Sequence, residues 1–149
     1  MARYKDPLVT DLLGKQLHPG EQLYHWAYGV KQPPTGLIVV LMLMAILPGA
    51  IATALLTKEY IVALTSHRVL ILRVKGGKAA IQEITEYSRG YLPPAKTSTG
   101  ALFTHIALAD PAKPFVAKFH RMGMPNNRQH AMAIAAALQP QSQPQLQQG

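Results

Sequence analysis

The chain has 149 residues, of which 15 are lysine or arginine and seven are aspartate or glutamate, so its formal net charge is +8. It contains no cysteine, which excludes disulfide bonds, thiolate metal sites and cysteine nucleophiles. Once the apolar run described below is set aside, only residues 58–149 are numerous enough to form a domain with its own hydrophobic core.

The first 34 residues are interpreted as an amphipathic lead-in. Asp6-Pro7 predicts the start of a short helix, because proline is favoured at the first helical position, and leucines recur on one face of it. Residues 18–20 (HPG) then turn the chain. Residues 21–29 (EQLYHWAYG) alternate enough to form a strand, and an interfacial helix is an equal alternative.

A 22-residue apolar run follows at residues 36–57, and no charged residue lies between Lys31 and Lys58. As a helix the run would extend about 33 Å, against a hydrocarbon core of roughly 30 Å, so it predicts one transmembrane helix over residues 35–57. About 35 residues precede the run, which excludes a signal peptide. The alternatives are a buried core helix and a re-entrant hairpin that enters one leaflet.

Pro48-Gly49 lies just past the middle of this run, where it predicts a kink in a crossing helix or the turn of a re-entrant hairpin. The small residues that follow favour a packed partner helix, with lipid-facing alanine as an equal alternative. The residues expected to span and pack are Leu37, Leu41, Met44, Pro48, Gly49, Ala50, Thr53 and Ala54. Aromatic residues expected at the membrane interface flank the run, namely Tyr24, Trp26, Tyr28 and Tyr60.

After residue 57 the sequence changes to short β-prone runs separated by turn residues. Strands are predicted over residues 60–65, 68–74, 80–87, 102–108 and 115–121, with a loop over residues 89–100. A closing helix is expected to begin with Asn126 or Asn127 as its N-cap and to end before Pro140. Residues 58–139 therefore predict an antiparallel meander that curls into a barrel or two packed sheets, and residues 140–149 form a Gln/Pro-rich tail.

The hairpin resembles one of the bacterial pleckstrin-homology-like domains, in which a strand of the type Y-x-V-x-L-T, a short turn with an arginine and a second apolar strand follow a membrane segment. The matching positions are Tyr60, Val62, Leu64, Thr65, Arg68, Val69, Leu70 and Ile71. Gly20-Glu21 resembles a short stretch that precedes the membrane segments of the family, and Asn127-Arg128 resembles the end of its domain. The resemblance implies an α+β protein with one transmembrane helix followed by a pleckstrin-homology-like β-barrel or sandwich, closed by a C-terminal helix.

Two departures limit this resemblance. Many membrane-attached relatives have two spans, whereas this run has the length of one. The turn between the two hairpin strands also lacks the basic cluster of phosphoinositide-binding pleckstrin domains, so head-group recognition does not carry over.

The sequence contains no pattern typical of catalysis. None of the six histidines belongs to an HExxH motif, and no carboxylate lies at metal-ligand spacing from two of them. His105 and His120 lie on neighbouring predicted strands, where a structural pair is favoured over a ligand pair. We therefore expect no enzymatic activity, no cofactor or metal, no small-molecule substrate and no nucleic-acid partner.

Charge distribution predicts an orientation and a role. Residues 1–35 carry a net charge of +1 and residues 58–149 a net charge of +7, so the positive-inside rule predicts a cytoplasmic C-terminal domain. The resemblance implies that the membrane is a bacterial inner membrane. The favoured function is a noncatalytic single-span accessory, stabilising or assembly subunit of a larger bacterial membrane complex. Expected partners are the lipid bilayer and other membrane-protein subunits. Because some assembly proteins of photosynthetic reaction centres carry domains of the resembled family, that complex or a respiratory one is a concrete expectation.

The alternative function is a peripheral module that senses anionic lipid or membrane stress. The turn at Gly76-Gly77 is flanked by Arg73, Lys75 and Lys78, which are the expected lipid or partner contacts. Each charge near an anionic surface is worth about 1 kcal/mol. A basic turn that is merely solvated is the competing interpretation.

Overall fold

The computed structural model describes residues 4–31, 43, 57–76 and 78–139. The described chain contains a short N-terminal helix, seven strands and a C-terminal helix. In chain order they are α1 (Asp6–Gly14), β1 (Leu23–Lys31), β2 (Lys58–Thr65), β3 (Arg68–Lys75), β4 (Ala80–Ser88), β5 (Ala95–Thr99), β6 (Phe103–Leu108), β7 (Phe115–His120) and α2 (Asn127–Leu138).

The seven strands form one antiparallel sheet in the order β4-β3-β2-β1-β7-β6-β5. Strands β1 and β7 are far apart in the chain but adjacent in the sheet, so the sheet joins a meander of β1 to β4 to a second meander of β5 to β7. Of the two alternatives for residues 21–29, a strand or an interfacial helix, the strand is the one that forms, as β1. The predicted loop over residues 89–100 contains β5.

Strands β2 and β3 are buried on both faces of the sheet. On the inner face, Val62 and Ile71 pack in a cluster with Ile134 of α2. On the outer face, Ile61 and Leu70 pack in a second cluster that includes residues of α1. Because both faces are covered, these strands read as continuous apolar runs and not as alternating ones.

Strand β7 follows the alternating pattern of a sheet covered on one face. Phe115, Ala117 and Phe119 point into the inner cluster, whereas Val116 between them is 49% exposed. The alternation that predicted this strand from the sequence is thus present in the fold.

The β1–β7 seam, where the two meanders meet, relies on side chains. Its registered backbone pair is Val30 with Lys118. Further along β1, the buried Asn127 accepts a hydrogen bond from the Tyr28 N–H (2.8 Å) and donates to the Tyr28 carbonyl oxygen (2.9 Å). The Asn127 side chain therefore hydrogen-bonds the backbone of β1 as a neighbouring strand would. Asn127 is also the first residue of α2. Asn126 precedes the helix in the left-handed region at φ 58°, and its side chain makes no capping hydrogen bond.

The prediction of one transmembrane helix followed by the β domain is wrong. Lys31 at the end of β1 is the register partner of Lys58 at the start of β2. Both flanks of the uncharged segment therefore lie side by side at one end of the same sheet, whereas a single crossing would place them on opposite sides of a bilayer. Among the described residues, no helix combines the length and apolar character that a membrane crossing requires.

The residues expected to span and pack lie outside the described residues. They are Leu37, Leu41, Met44, Pro48, Gly49, Ala50, Thr53 and Ala54. The predicted Gln/Pro-rich tail at residues 140–149 also lies outside them.

Candidate functional site

Three lysines form a row across one end of the sheet. Lys31 of β1 lies opposite Lys58 of β2, and the β2–β3 register, which pairs Glu59 with Val74, places Lys75 of β3 next to Lys58. Directly opposed residues of antiparallel strands share one face, with Cβ atoms about 4.5–5.5 Å apart. All three side chains are exposed. We call Lys31, Lys58 and Lys75 the lysine row.

The lysine row is electrostatically unfavourable as it stands. Like charges directly opposite each other on adjacent strands are destabilising. Among the described residues, no ion pair joins a carboxylate to a lysine of the row. The cations that form ion pairs there are Lys15, Arg68, Arg73 and Lys113. An external anionic surface would reduce this repulsion. In the sequence, the uncharged segment connects the first two lysines of the row.

The predicted basic turn divides into a neutralised part and an exposed part. Arg73 donates to Glu83 at 3.3 Å, and Lys113 forms a second ion pair with the same carboxylate. Lys75 and Lys78 are exposed. The structure thus places Lys75 beside Lys31 and Lys58, while Arg73 forms a cross-strand ion pair between β3 and β4.

A small cleft lies on the inner face near the lysine row, lined by Tyr60, Ile71, Arg73, Glu83, Thr85, Tyr87, Lys113, Pro114 and Phe115. Its volume open to water-sized molecules is about 30 Å³. The Tyr87 hydroxyl donates to Asp110 at 2.7 Å. Burial is the main cause that raises the pKa of Tyr87 to about 12, and the Asp110 carboxylate acts in the same direction. Four of the lining residues, Arg73, Glu83, Thr85 and Lys113, are hydrogen-bonded to one another.

A wider groove of about 620 Å³ separates residues 89–95 from the end of α2. Arg89 is the one charged residue among the described side chains that line it. The groove therefore supplies no acid and base pair.

A buried ionic network lies at the opposite end of the β2–β3 hairpin. The Arg68 guanidinium donates two bonds to Glu21, from Nε at 2.9 Å and from Nη2 at 3.0 Å, and one to Glu86 at 3.0 Å. The Thr65 hydroxyl donates to Glu21 at 2.5 Å. These hydrogen bonds, led by those from Arg68, lower the pKa of Glu21 to about 2. The Glu21 side chain is only 1% exposed, so this network is a structural staple and not a binding site.

The network joins residues that the sequence analysis had named separately. Glu21 belongs to the short stretch before the apolar run, whereas Thr65 and Arg68 belong to the hairpin motif. In the structure, the hairpin residue Arg68 and the distant Glu21 form one ion pair.

The histidine pair that the structure contains differs from the expected one. His105 lies opposite Lys118, and Phe103 lies opposite His120, so both histidine rings contact Phe103. In the described ranges, no group of three or more histidine, aspartate or glutamate residues is arranged to hold a metal ion.

The pair that does form joins His25 of β1 to His130 of α2, with their Nδ1 atoms 3.1 Å apart. The sequence carried no signal for it, because the two residues are far apart in the chain and meet through the β1–β7 seam.

The aromatic residues that flank the uncharged segment are mostly part of the domain. The Trp26 indole N–H donates to Asp6 at 3.2 Å, and the Tyr28 hydroxyl donates to Glu59 at 3.1 Å. Tyr60 packs edge-to-face on Phe115 with ring centroids 5.0 Å apart. Tyr24 is 44% exposed.

Comparison with known proteins identifies a fold and no family. No family model matches the chain, and no curated protein is significantly similar to it. Among solved structures, the hSac2 domain from human phosphoinositide phosphatase Sac2 is similar with a TM-score of 0.50 and 9% sequence identity, over 93% of this chain and 80% of that one. At this identity the likeness shows the fold alone. The resemblance to bacterial pleckstrin-homology-like domains stays a prediction.

Proposed function

We propose that this chain is a noncatalytic module that attaches peripherally to an anionic phospholipid surface, at the cytoplasmic face of a bacterial inner membrane. The single observation that carries the proposal is the lysine row: Lys31 and Lys58 are direct register partners, the β2–β3 register places Lys75 next to Lys58, and all three are exposed at one end of the sheet. The attachment requires no crossing helix.

The proposal combines the charge of the lysine row with the apolar sequence that connects two of its lysines. Three lysines near an anionic surface contribute about 3 kcal/mol, at about 1 kcal/mol each. Residues 32–57 carry no charge and are largely apolar in sequence, and they connect Lys31 to Lys58. A peripheral protein needs two such signals for stable attachment, since either one alone gives marginal binding.

The noncatalytic part of the proposal is supported by the way the ionisable groups are bonded. Glu21, Arg68 and Glu86 satisfy one another, and so do Arg73, Glu83 and Lys113. In these pairs each carboxylate accepts hydrogen bonds from a cation of the same network, which is the arrangement of structural ion pairs.

Co-sedimentation with lipid vesicles tests the proposal. The full chain is compared with a variant in which Lys31, Lys58 and Lys75 are all changed to glutamine, using vesicles of phosphatidylglycerol mixed with phosphatidylcholine. The control variant K15Q/K96Q/R121Q removes the same charge from exposed residues elsewhere. We expect the lysine-row variant to bind at least tenfold more weakly and the control to bind like the unmodified chain.

Two results would overturn the proposal. One is failure of the unmodified chain to bind phosphatidylglycerol vesicles at low salt. The other is equal loss of binding in both triple variants, which would show that net charge matters and that the row does not.

A second candidate function is the accessory or assembly subunit of a larger membrane complex, such as a photosynthetic reaction centre or a respiratory complex. The observation that favours it is a set of exposed apolar side chains in and beside β6 and β7: Val116 of β7 is 49% exposed, and Leu102 and Met122 in the adjoining turns are 48% and 51% exposed. Purification in mild detergent tests it through a stoichiometric partner that is lost in the variant Val116→Asp. A chain that runs alone, or a partner retained by the variant, counts against this role.

A further inference from the structure

The β1–β7 seam has one registered backbone pair, and beside it lies a contact between two titratable side chains, His25 and His130. β1 pairs with β2 along its length from Leu23 to Lys31, whereas its registered pair with β7 is Val30 with Lys118. The first turn of α2 covers the remaining edge of β1, through Asn127 and, three residues later, His130. The attachment of α2 to β1 therefore depends on side chains.

The second of these contacts is a pair of imidazoles. The Nδ1 atoms of His25 and His130 lie 3.1 Å apart, and the rings meet at 62° with centroids 5.3 Å apart. The Trp26 ring stacks on His130 at 4.4 Å. A hydrogen bond between two Nδ1 atoms needs one donor and one acceptor, so it is lost when both rings are protonated, because each Nδ1 then carries a hydrogen.

The surroundings of His130 favour its neutral form. Burial is the main cause that lowers the pKa of His130, and the charge of His25 acts in the same direction. Asp6 of α1 opposes this, but its carboxylate already accepts the Trp26 indole N–H. His130 also lies in the first turn of α2, where the helix dipole disfavours a cation.

The other charged and titratable groups near this contact have partners of their own. Arg128 shares the first turn of α2 and donates from Nε to the Gly100 carbonyl oxygen at 3.2 Å. His120, at the end of β7, accepts the Met122 N–H at 3.0 Å. Neither is hydrogen-bonded to the imidazole pair.

We propose that His25 and His130 form a proton-sensitive latch that holds the first turn of α2 against β1 at neutral pH and releases it on acidification. Protonation of both rings replaces a hydrogen bond by two like charges at the same separation. Release uncovers the edge of β1 at Tyr28, whose N–H is otherwise held by Asn127. The domain thereby gains a second conformation at mildly acidic pH without global unfolding.

The sign of the pH dependence follows from the direction of the shift. Because the pKa of His130 is lower in the folded state than the ordinary value of 6.5, the unfolded or released state binds more protons below that pH. The latch is therefore closed above pH 6.5 and weakens as the pH falls, by up to about tenfold per pH unit for one proton. Glu21 contributes to stability in a different pH range. Folding lowers its pKa from 4.5 to about 2, so its contribution to the free energy of unfolding is lost only as the pH drops below 4.5.

Nuclear magnetic resonance of the full chain in mild detergent tests the latch between pH 8 and pH 5. One measurement follows the titration of the imidazoles. The other follows amide exchange at Tyr28, corrected for its intrinsic pH dependence and compared with the amide of Leu70 in β3. We expect Tyr28 exchange to accelerate at least tenfold relative to Leu70 as the pair titrates.

Three variants make the result specific. H25Q and H130Q replace each ring by a side chain that hydrogen-bonds without titrating, and both are expected to abolish the acceleration. H105Q, at an exposed histidine of β6, is expected to retain it. The latch is refuted if Tyr28 and Leu70 respond alike to pH in the unmodified chain, or if the acceleration survives in both glutamine variants. Should a glutamine variant fail to fold, the Tyr28 to Leu70 ratio in the unmodified chain still decides.

Discussion

Strands β1 to β3 and strands β5 to β7 form two halves of one sheet that are covered differently. The first half has α2 on its inner face and α1 on its outer face, and most residues of β2 and β3 are buried. In the second half, α2 covers the inner face, and among the described residues no element comparable to α1 covers the outer one. Burial therefore concentrates stability in the first half and leaves the outer face of the second half exposed.

The two halves also differ in where their polar groups lie. The first half ends in the buried Glu21–Arg68 network on one side and in the lysine row on the other. The lysine row thus lies on three paired strands and not on a loop, and side chains on strands are positioned more precisely than side chains on loops. Three predictions break or sharpen this comparison.

The largest expected effect comes from breaking the buried ion pair of the first half. Arg68→Ala leaves the Glu21 carboxylate buried without its cation, which is expected to lower the free energy of unfolding by about 3–5 kcal/mol. Arg73→Ala is the matched control, because the Arg73–Glu83 pair is 37% and 43% exposed and is worth less than about 1 kcal/mol. Chemical denaturation of both variants measures the difference.

Equal losses in these two variants would contradict the assignment of Arg68 as a structural staple. The double variant E21Q/R68M provides a further check. It removes both charges and is expected to recover most of the stability lost in R68A.

The two hairpin strands could be predicted from the sequence because burial on both faces produces unbroken apolar runs. Residues 60–65 and 68–74 were expected and lie within β2 and β3, and the alternating strand over residues 115–121 became β7. β5 was missed because its sequence, AKTST, contains one apolar residue, as befits an exposed edge strand. Pattern reasoning therefore detects strands with at least one buried face better than an exposed edge strand.

The lysine row could be predicted only in part. Lys75 was expected to contact lipid or a partner, whereas Lys31 and Lys58 were seen only as flanks of the uncharged segment. Their adjacency depends on the register of β1 with β2, which the intervening segment hides from any local pattern. The same hidden pairing is the physical reason that the single crossing was predicted wrongly.

An intermediate effect separates the two halves directly. Leu70→Ala removes a fully buried side chain from the outer face under α1 and is expected to cost about 2–5 kcal/mol. Val116→Ala acts on the outer face of β7, where the side chain is 49% exposed, and is expected to change stability by less than about 0.5 kcal/mol. Thermal and chemical denaturation of the two variants measures the contrast. A cost at Val116 close to that at Leu70 would mean that the outer face of the second half is covered after all.

The smallest effect is expected at the join between the halves. A Cβ atom added at Gly29 of β1 would lie 2.6 Å from the Phe119 ring of β7, and this fully buried ring has no open space to enter. Gly29→Ala is therefore expected to cost about 1–3 kcal/mol through overpacking. Phe119→Leu in the same chain makes room for the methyl group, so the double variant is expected to be more stable than the sum of the two single losses predicts. Strictly additive losses in this cycle would show that Gly29 and Phe119 do not press on each other, and the two halves would then be joined mainly by Asn127.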